Sequence, residues 1–123
     1  MSGIKYLLDT NIIIGMYQQN SRVVELFKNK KATIDECAFS SVTRMELLGF
    51  PNITETENKV ISTLLKRMTH CRIDEVVEEN TIVIKQQCRI KLPDAIIAAT
   101  ALCHQLELLS LDKKLVNKFN QFN

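Results

Sequence analysis

The chain has 123 residues, of which 46% are hydrophobic and 24% are charged, and its formal net charge is +2. These values are typical of one globular domain, so we expect residues 1–123 to form a single domain. A net charge this small does not predict nucleic-acid binding by itself, although clustered Lys and Arg side chains can still form a local patch.

Several classes of protein are excluded by the residue pattern. The longest apolar runs, residues 12–16 and 95–99, are too short to cross a membrane, and Asp9 interrupts any apolar signal region. We therefore expect a cytoplasmic protein without membrane association. The four cysteines form no Cys-x-x-Cys pair and the two histidines lie apart, which argues against a zinc site. The three glycines form no glycine-rich phosphate loop.

Predicted strands alternate with predicted helices along the chain. The first strand, residues 4–8, is almost continuously apolar, as is typical of a buried strand in a parallel sheet. The elements that follow are a helix over 22–29, a strand within 33–40, a helix over 42–48, a helix over 54–68, a short strand at 71–73, a helix over 75–89, a helix from 93 to about 106, a strand over 108–111 and a helix over 113–119.

Two of these helices have clear end signals. Gly49 and then Pro51 follow the helix over 42–48, an arrangement that commonly stops a helix. Pro93 fits the first turn of the next-to-last helix, where a missing N–H costs nothing. That helix is apolar around most of its circumference, so we expect it to lie centrally in the fold.

The alternation predicts a doubly wound α/β/α domain with a parallel sheet. Ligands bind such sheets beyond the carboxyl ends of the strands. Asp9 and Asp112 follow predicted strands, whereas Glu46 and Asp94 are expected in the first turns of helices that follow loops. We therefore expect all four carboxylates to face the same edge of the sheet.

Carboxylates that converge in this way need a positive partner. Two of them about 4 Å apart repel by about 4 kcal/mol at an effective dielectric constant of about 20. Hard oxygen ligands suit Mg²⁺ or Mn²⁺, so the pattern predicts a metal site at Asp9, Glu46, Asp94 and Asp112.

Each acid also has an ordinary structural interpretation. These are an Asx turn at Asp9, a capping box of Thr43 with Glu46, a favourable helix-dipole contact at Asp94 and an N-cap at Asp112. Unrelated caps need no common location, so the joint placement on one predicted edge favours the metal site.

Five further residues are candidates for supporting the acids or contacting a substrate: Thr10, Asn11, Arg44, Lys91 and Ser110. Arg44 and Lys91 flank acidic positions, where they can contact phosphates or simply remain solvated. Ser110 can hydrogen-bond a carboxylate or a water, or simply begin the last helix.

In four segments, residues 8–12, 41–48, 91–101 and 109–112, the chain resembles the PIN-domain ribonucleases, and most closely the VapC-type toxins of type II toxin–antitoxin systems. The resemblance extends over essentially the whole length. It implies a three-layer α/β/α PIN-like domain with a central, mostly parallel sheet of four to five strands.

The resemblance also assigns roles to individual residues. The four acids match the family's metal-binding positions, and it implies direct ligation by Asp9 and Asp94, with Glu46 and Asp112 holding a second ion or metal-bound waters. Ser110 occupies a hydroxyl position where Thr is commoner in the family. Leu115 stands where many relatives have an aromatic residue, which affects packing rather than chemistry.

The implied function is that of a Mg²⁺- or Mn²⁺-dependent endoribonuclease, the toxin of a toxin–antitoxin pair. Its products would carry 5′-phosphate and 3′-hydroxyl ends. The resemblance further implies a homodimer and a hetero-oligomer with a small antitoxin, whose C-terminal segment occupies the acidic groove.

Two alternatives of a different kind remain at this point. One is a catalytically silent PIN-like binding module. The other is a receiver-type signalling domain. Such a domain requires a second acid beside Asp9, where this chain has Thr10 and Asn11. An Asp-x-Asp phosphatase is weaker still, because Asn11 replaces the second acid.

Overall fold

A computed structural model describes residues 3–123, so the predicted domain boundary at residue 1 lies outside the described residues. Within them, four short strands form one sheet: β1 (Tyr6–Leu8), β2 (Cys37–Ser40), β3 (Thr69–Cys71) and β4 (Glu107–Leu109). The strand order is β3-β2-β1-β4 and every pairing is parallel. The predicted parallel sheet is confirmed.

Seven α-helices of the described chain cover the two faces of the sheet. They are α1 (Thr10–Tyr17), α2 (Ser21–Lys30), α3 (Ser41–Leu48), α4 (Glu55–Lys66), α5 (Glu75–Gln87), α6 (Leu92–Cys103) and α7 (Lys113–Phe122). A 3₁₀ helix, Ile34–Glu36, precedes β2. One apolar cluster joins the sheet to α5, α6 and α7, and a second joins it to α1, α2 and α4. The three-layer prediction is therefore confirmed.

The predicted central helix is central in the structure. Residues 97–101 of α6 are all buried, and Ala95 is completely buried as well. Because many of these side chains are small, α6 packs closely against the sheet and α5. Its first turn, which follows the N-cap residue Lys91, carries Asp94.

The structure differs from the prediction at several element boundaries. Helix α1 is absent from the predicted elements, although its Ile12 and Ile13 are fully buried. Helix α6 ends at Cys103 rather than near residue 106, because Gln105 adopts a left-handed backbone with φ 56°. The third strand occupies 69–71 instead of 71–73, and the fourth occupies 107–109 instead of 108–111.

Gly49 follows the last residue of α3, as predicted. Its φ is −89°, so it does not form a left-handed cap. A Cβ at this position would lie 2.5 Å from the carbonyl oxygen of Met45, to which the Gly49 N–H donates. The position needs glycine for close backbone approach.

No helix within residues 3–123 combines the length and the apolar character that a membrane span requires.

Candidate metal centre

Asp9 lies at the carboxyl end of β1 and is buried, with 6% of its surface exposed. It is the N-cap of α1, and its Oδ1 accepts a hydrogen bond from the Thr10 N–H at 2.8 Å. Its Oδ2 accepts from the Ser110 hydroxyl at 2.6 Å and from Asn11 Nδ2 at 3.3 Å. These three donors orient the carboxylate, and because an ionised carboxylate only accepts hydrogen bonds, they favour its ionised form.

Ser110 and Asn11 connect the first turn of α1 to the segment that follows β4. The Ser110 oxygen, after donating its proton to Asp9, accepts from the Asp112 N–H at 2.9 Å. Asn11 Oδ1 accepts from the Leu111 N–H at 3.1 Å. Ser110 therefore positions both the side chain of one acid and the backbone of another.

Glu46 is an exposed residue in the second turn of α3, and its Oε1 accepts from the Thr10 hydroxyl at 2.6 Å. The Thr43 hydroxyl lies 3.1 Å from the same Thr10 oxygen. Thr10 has one hydroxyl proton and a carboxylate has none to give. Thr10 consequently donates to Glu46 and accepts from Thr43, which is buried.

This geometry corrects two expectations for Glu46. The capping box with Thr43 is wrong, since Ser40 is the N-cap of α3 and accepts from the Val42 N–H. The expected location in the first turn is also wrong, because the helix begins at Ser41, earlier than predicted. Glu46 consequently faces Thr10 instead of the helix start.

Asp94 occupies the first turn of α6, as predicted, and is half-buried. Among residues 3–123, no hydrogen-bond donor and no basic side chain pairs with its carboxylate. Lys91, the exposed N-cap residue of α6, lowers the pKa of Asp94 by its charge, but this effect is smaller than those that raise it. Asp94 is thus a half-buried carboxylate without a local partner.

Asp112 is the N-cap of α7, which confirms the structural interpretation of this residue. Its Oδ1 accepts from the Lys114 N–H at 3.0 Å and from the Leu115 N–H at 3.3 Å. Both bonds use one oxygen. The capping role is therefore compatible with a second role for Oδ2.

The four acids lie within electrostatic range of one another. Burial is the main cause that raises the pKa of Asp9, and Glu46 and Asp112 raise it further, against the lowering effect of the Ser110 and Thr10 hydrogen bonds. Burial likewise raises the pKa of Asp94, and the other three acids add to the rise. Each of the other three acids is therefore near enough to Asp94 to affect its pKa.

Protein cations do not neutralise this cluster. Within residues 3–123, the ion pairs are Lys5–Glu36 and Lys30–Glu107, which involve none of the four acids. No ion pair of the described residues therefore balances the negative charge of the site.

The donor set fits a hard divalent cation, although it is not a closed cage. In the described part of the chain, no three His, Cys, Asp or Glu side chains are close enough to hold a metal ion as they stand. Mg²⁺ commonly uses only one or two protein carboxylates and keeps several waters. Carboxylates that form no ion pair with a basic side chain of the described residues suit that mode of binding.

The supporting residues divide into two groups. Thr10, Asn11 and Ser110 lie in the site and orient its acids, and Lys91 is close enough to influence Asp94. Arg44 lies elsewhere: it borders a cavity with His70. Residues two positions apart in a helix are separated by about 200° around its axis, so the side chains of Arg44 and Glu46 point in nearly opposite directions.

Sequence reasoning missed Thr43 as a member of the site. Its signal was present, because a Thr inside a helix, three residues before an acid, lies on the same helical face as that acid. We interpreted the spacing as a cap, and only the position of Thr10 shows its alternative use.

A family model for the PIN domain matches residues 6–119. The chain belongs to the PIN-domain family. The matched range runs from β1 into α7 and includes all four acids. A comparison with curated proteins found no match.

Solved structures with this PIN fold include several complexes. A toxin–antitoxin complex from Klebsiella pneumoniae is 27% identical, with a TM-score of 0.78, over 89% of this chain and 88% of that one. DNA-bound VapBC from Salmonella typhimurium is 20% identical, with a TM-score of 0.75, over 93% and 91%. VapBC-1 from nontypeable Haemophilus influenzae is 23% identical, with a TM-score of 0.74, over 96% and 94%. At 20% and 23% identity, the similarity to the two VapBC structures shows only a shared fold.

Proposed function

We propose that this PIN-domain protein is a Mg²⁺- or Mn²⁺-dependent endoribonuclease and the VapC-type toxin of a toxin–antitoxin pair. One observation carries the proposal: carboxylates from four separate segments lie near one another, and no Lys or Arg of the described residues forms an ion pair with them. Besides burial, Glu46 and Asp112 raise the pKa of Asp9, and Asp9, Asp112 and Glu46 raise the pKa of Asp94. A divalent cation between them would remove this repulsion.

Asp9 and Asp94 are the proposed direct ligands, and Glu46 and Asp112 would hold a second ion or metal-bound waters. A bound cation supplies positive charge that lowers the pKa of a coordinated water and offsets charge on the phosphodiester. Ser110 and Thr10 keep the carboxylates of Asp9 and Glu46 oriented through bonds of 2.6 Å each. This fixed orientation means that less reorganisation accompanies substrate binding.

An apolar groove beside Glu46 supports the proposed antitoxin partner. Ile14, Tyr17 and Phe50 line a cavity of about 150 Å³ together with Glu46, and Phe50 is 65% exposed. Exposed apolar side chains next to a functional site commonly mark a protein interface. The similar complex from Klebsiella pneumoniae is a toxin–antitoxin complex. A small antitoxin in this groove would lie next to the acids, and the homodimer and hetero-oligomer remain predictions.

The test is cleavage of total bacterial RNA by the purified protein in Mg²⁺, in Mn²⁺ and in EDTA. Wild-type protein should give discrete fragments that require metal, and Asp94→Asn should give none. Asp35→Asn is the matched control, because Asp35 is an exposed acid in the 3₁₀ helix at the opposite edge of the sheet. It should cleave like wild type.

Absence of cleavage by folded protein, free of any bound inhibitor and in either metal, would contradict the nuclease and favour a silent PIN binding module. Membership of the PIN family already removes the support for a receiver-type domain.

A further inference from the structure

A second charged region lies at the edge strand β3. Four basic residues surround it: Arg44 from α3, Lys66 at the end of α4, His70 in β3 and Arg72 just after β3. We call these residues the cationic cluster. His70 is half-buried, and its ring stacks on Phe39 with centroids 4.9 Å apart and planes 16° from parallel.

The imidazole has a fixed orientation. His70 Nε2 lies 2.8 Å from the Ser41 hydroxyl, and Phe39, its stacking partner, is buried in the neighbouring strand. The ring borders two cavities of about 350 Å³ and about 360 Å³. Arg44 and Lys66 line the first cavity, and Arg72 lines the second.

The charges of this cluster are not balanced. Burial lowers the pKa of His70, and Arg72 and Arg44 lower it further, without an opposing carboxylate. Within residues 3–123, the ion pairs leave Arg44, Lys66 and Arg72 unpaired. Asp74 lines the second cavity, but its Oδ1 already accepts from the Val77 N–H at the start of α5. The cluster therefore retains a positive charge.

His70 and Arg44 lie toward the edge of the sheet that carries the acidic site, whereas Lys66 precedes β3 at the other end of that strand. Ser41, which contacts His70, begins α3 at the carboxyl end of β2, next to β1 and Asp9. Helix α3 lies between the two regions, with Glu46 toward Thr10 on one side and Arg44 toward His70 on the other. An extended polyanion crossing α3 would meet both.

We infer that the cationic cluster binds backbone phosphates of single-stranded RNA a few nucleotides from the bond cleaved at the acidic site. Lys and Arg side chains are the usual phosphate contacts, and grooves for single strands combine them with aromatic rings. The cavity of about 350 Å³ accommodates a phosphate group. The inference rests on the proposed nuclease function, since it places the cluster relative to a cleaved RNA.

The experiment measures binding separately from cleavage. Fluorescence anisotropy of a labelled single-stranded RNA oligonucleotide is recorded in EDTA at several salt concentrations, with wild type, Arg44→Gln and Arg72→Gln. Both arginines are exposed, so the variants should keep the wild-type circular dichroism and Tm. Lys28→Gln is the matched control, because Lys28 is an exposed cation in the last turn of α2, which leads toward the amino edge of the sheet.

Each cluster variant should bind about three- to tenfold more weakly at low salt, and the slope of log K against log salt should fall by roughly 0.7. Lys28→Gln should change neither value appreciably. Wild-type affinity and slope in both cluster variants would overturn the inference even if the protein cleaves RNA. So would a wild type that does not bind RNA at low salt, or one that binds a polyglutamate peptide at the cluster in preference to RNA.

The two failures can be distinguished. Cluster-dependent RNA binding by a folded wild type that never cleaves would contradict the nuclease function while supporting the phosphate contacts. Metal-dependent cleavage with cluster-independent binding would keep the nuclease and remove the inference.

Discussion

Ser110 donates a 2.6 Å hydrogen bond to the buried carboxylate of Asp9, which lies 101 residues away in the chain. The bond connects the ends of the adjacent strands β1 and β4, and the same serine oxygen accepts from the Asp112 N–H. A single hydroxyl thus orients one acid of the candidate site and the backbone of another.

Ser110→Ala should raise the pKa of Asp9 above its already raised value, because the lost hydrogen bond favours the ionised carboxylate. The free energy of unfolding at neutral pH should fall by about 1–2 kcal/mol. The acid limb of the pH–cleavage profile should move to higher pH. Ser110→Thr retains the hydroxyl and should keep the wild-type profile; a wild-type acid limb in Ser110→Ala would contradict the positioning role.

Asp94→Asn should stabilise the protein in EDTA while abolishing cleavage. The Asp94 carboxylate is raised in pKa by burial and by three neighbouring acids, and no donor of the described residues binds it. Removing its charge relieves repulsion without removing a hydrogen bond, so Tm should rise by roughly a few degrees. Asp9→Asn is a poorer choice, since Asn cannot accept every hydrogen bond that Asp9 accepts.

Thermal unfolding in EDTA and in Mg²⁺ checks this prediction. Wild type should gain Tm on adding Mg²⁺, and Asp94→Asn should gain less because a ligand is lost. An equal gain in both proteins would argue against Asp94 as a ligand.

Folding stability in EDTA should depend on the raised pKa values of Asp9 and Asp94. A folded-state pKa above the unfolded value of 3.8 means that the native state holds the proton more tightly. The resulting stabilisation is full below the unfolded pKa and is lost as pH rises through the folded pKa. The difference in unfolding free energy between Asp94→Asn and wild type should therefore grow as pH increases from about 4 to about 7.

Denaturant unfolding of the two proteins at a series of pH values measures this difference. Exposed acids elsewhere contribute equally to both proteins and cancel. A difference that is constant with pH would contradict the raised pKa of Asp94.

Gly15→Ala should destabilise the protein although Ala is the better helix former. A Cβ at Gly15 would lie 2.4 Å from Cγ2 of the buried Val23, where α1 packs on α2. Relief of this overlap requires movement of α2, so the free energy of unfolding should fall by about 1–3 kcal/mol. A second variant that adds Val23→Ala should recover part of the Gly15→Ala loss in a double-mutant cycle, and additive losses would contradict the contact.

Much of the fold was readable from local patterns. Strand β1 is an uninterrupted apolar run, and α6 has a proline in its first turn and apolar residues all around, as expected for a central helix. Helix α1 was missed as an element because its continuous apolar residues show weak helical periodicity. The boundaries near Gln105 depend on a left-handed turn that a Gln does not signal.

The four acids could be identified from the sequence, but their partners could not. Asp9 and Asp112 follow strands, which predicts the edge they face. The bonds from Thr10 to Glu46 and from Ser110 to Asp9 join residues 36 and 101 positions apart. A capping box was a reasonable local interpretation of Thr43 and Glu46, and it was wrong because Ser40 begins the helix first. The metal roles and the single domain over 1–123 stay predictions.

The parallel α/β order, the strand-end positions of two of the acids and the resemblance to the PIN family could be read from the sequence, because periodicity and short motifs are properties of neighbouring residues. The folded structure was needed to see that Glu46 and Arg44 lie on different sides of α3, and that no basic side chain of the described residues pairs with the acids. These facts depend on the start of one helix and on contacts between distant segments, and long-range packing determines both.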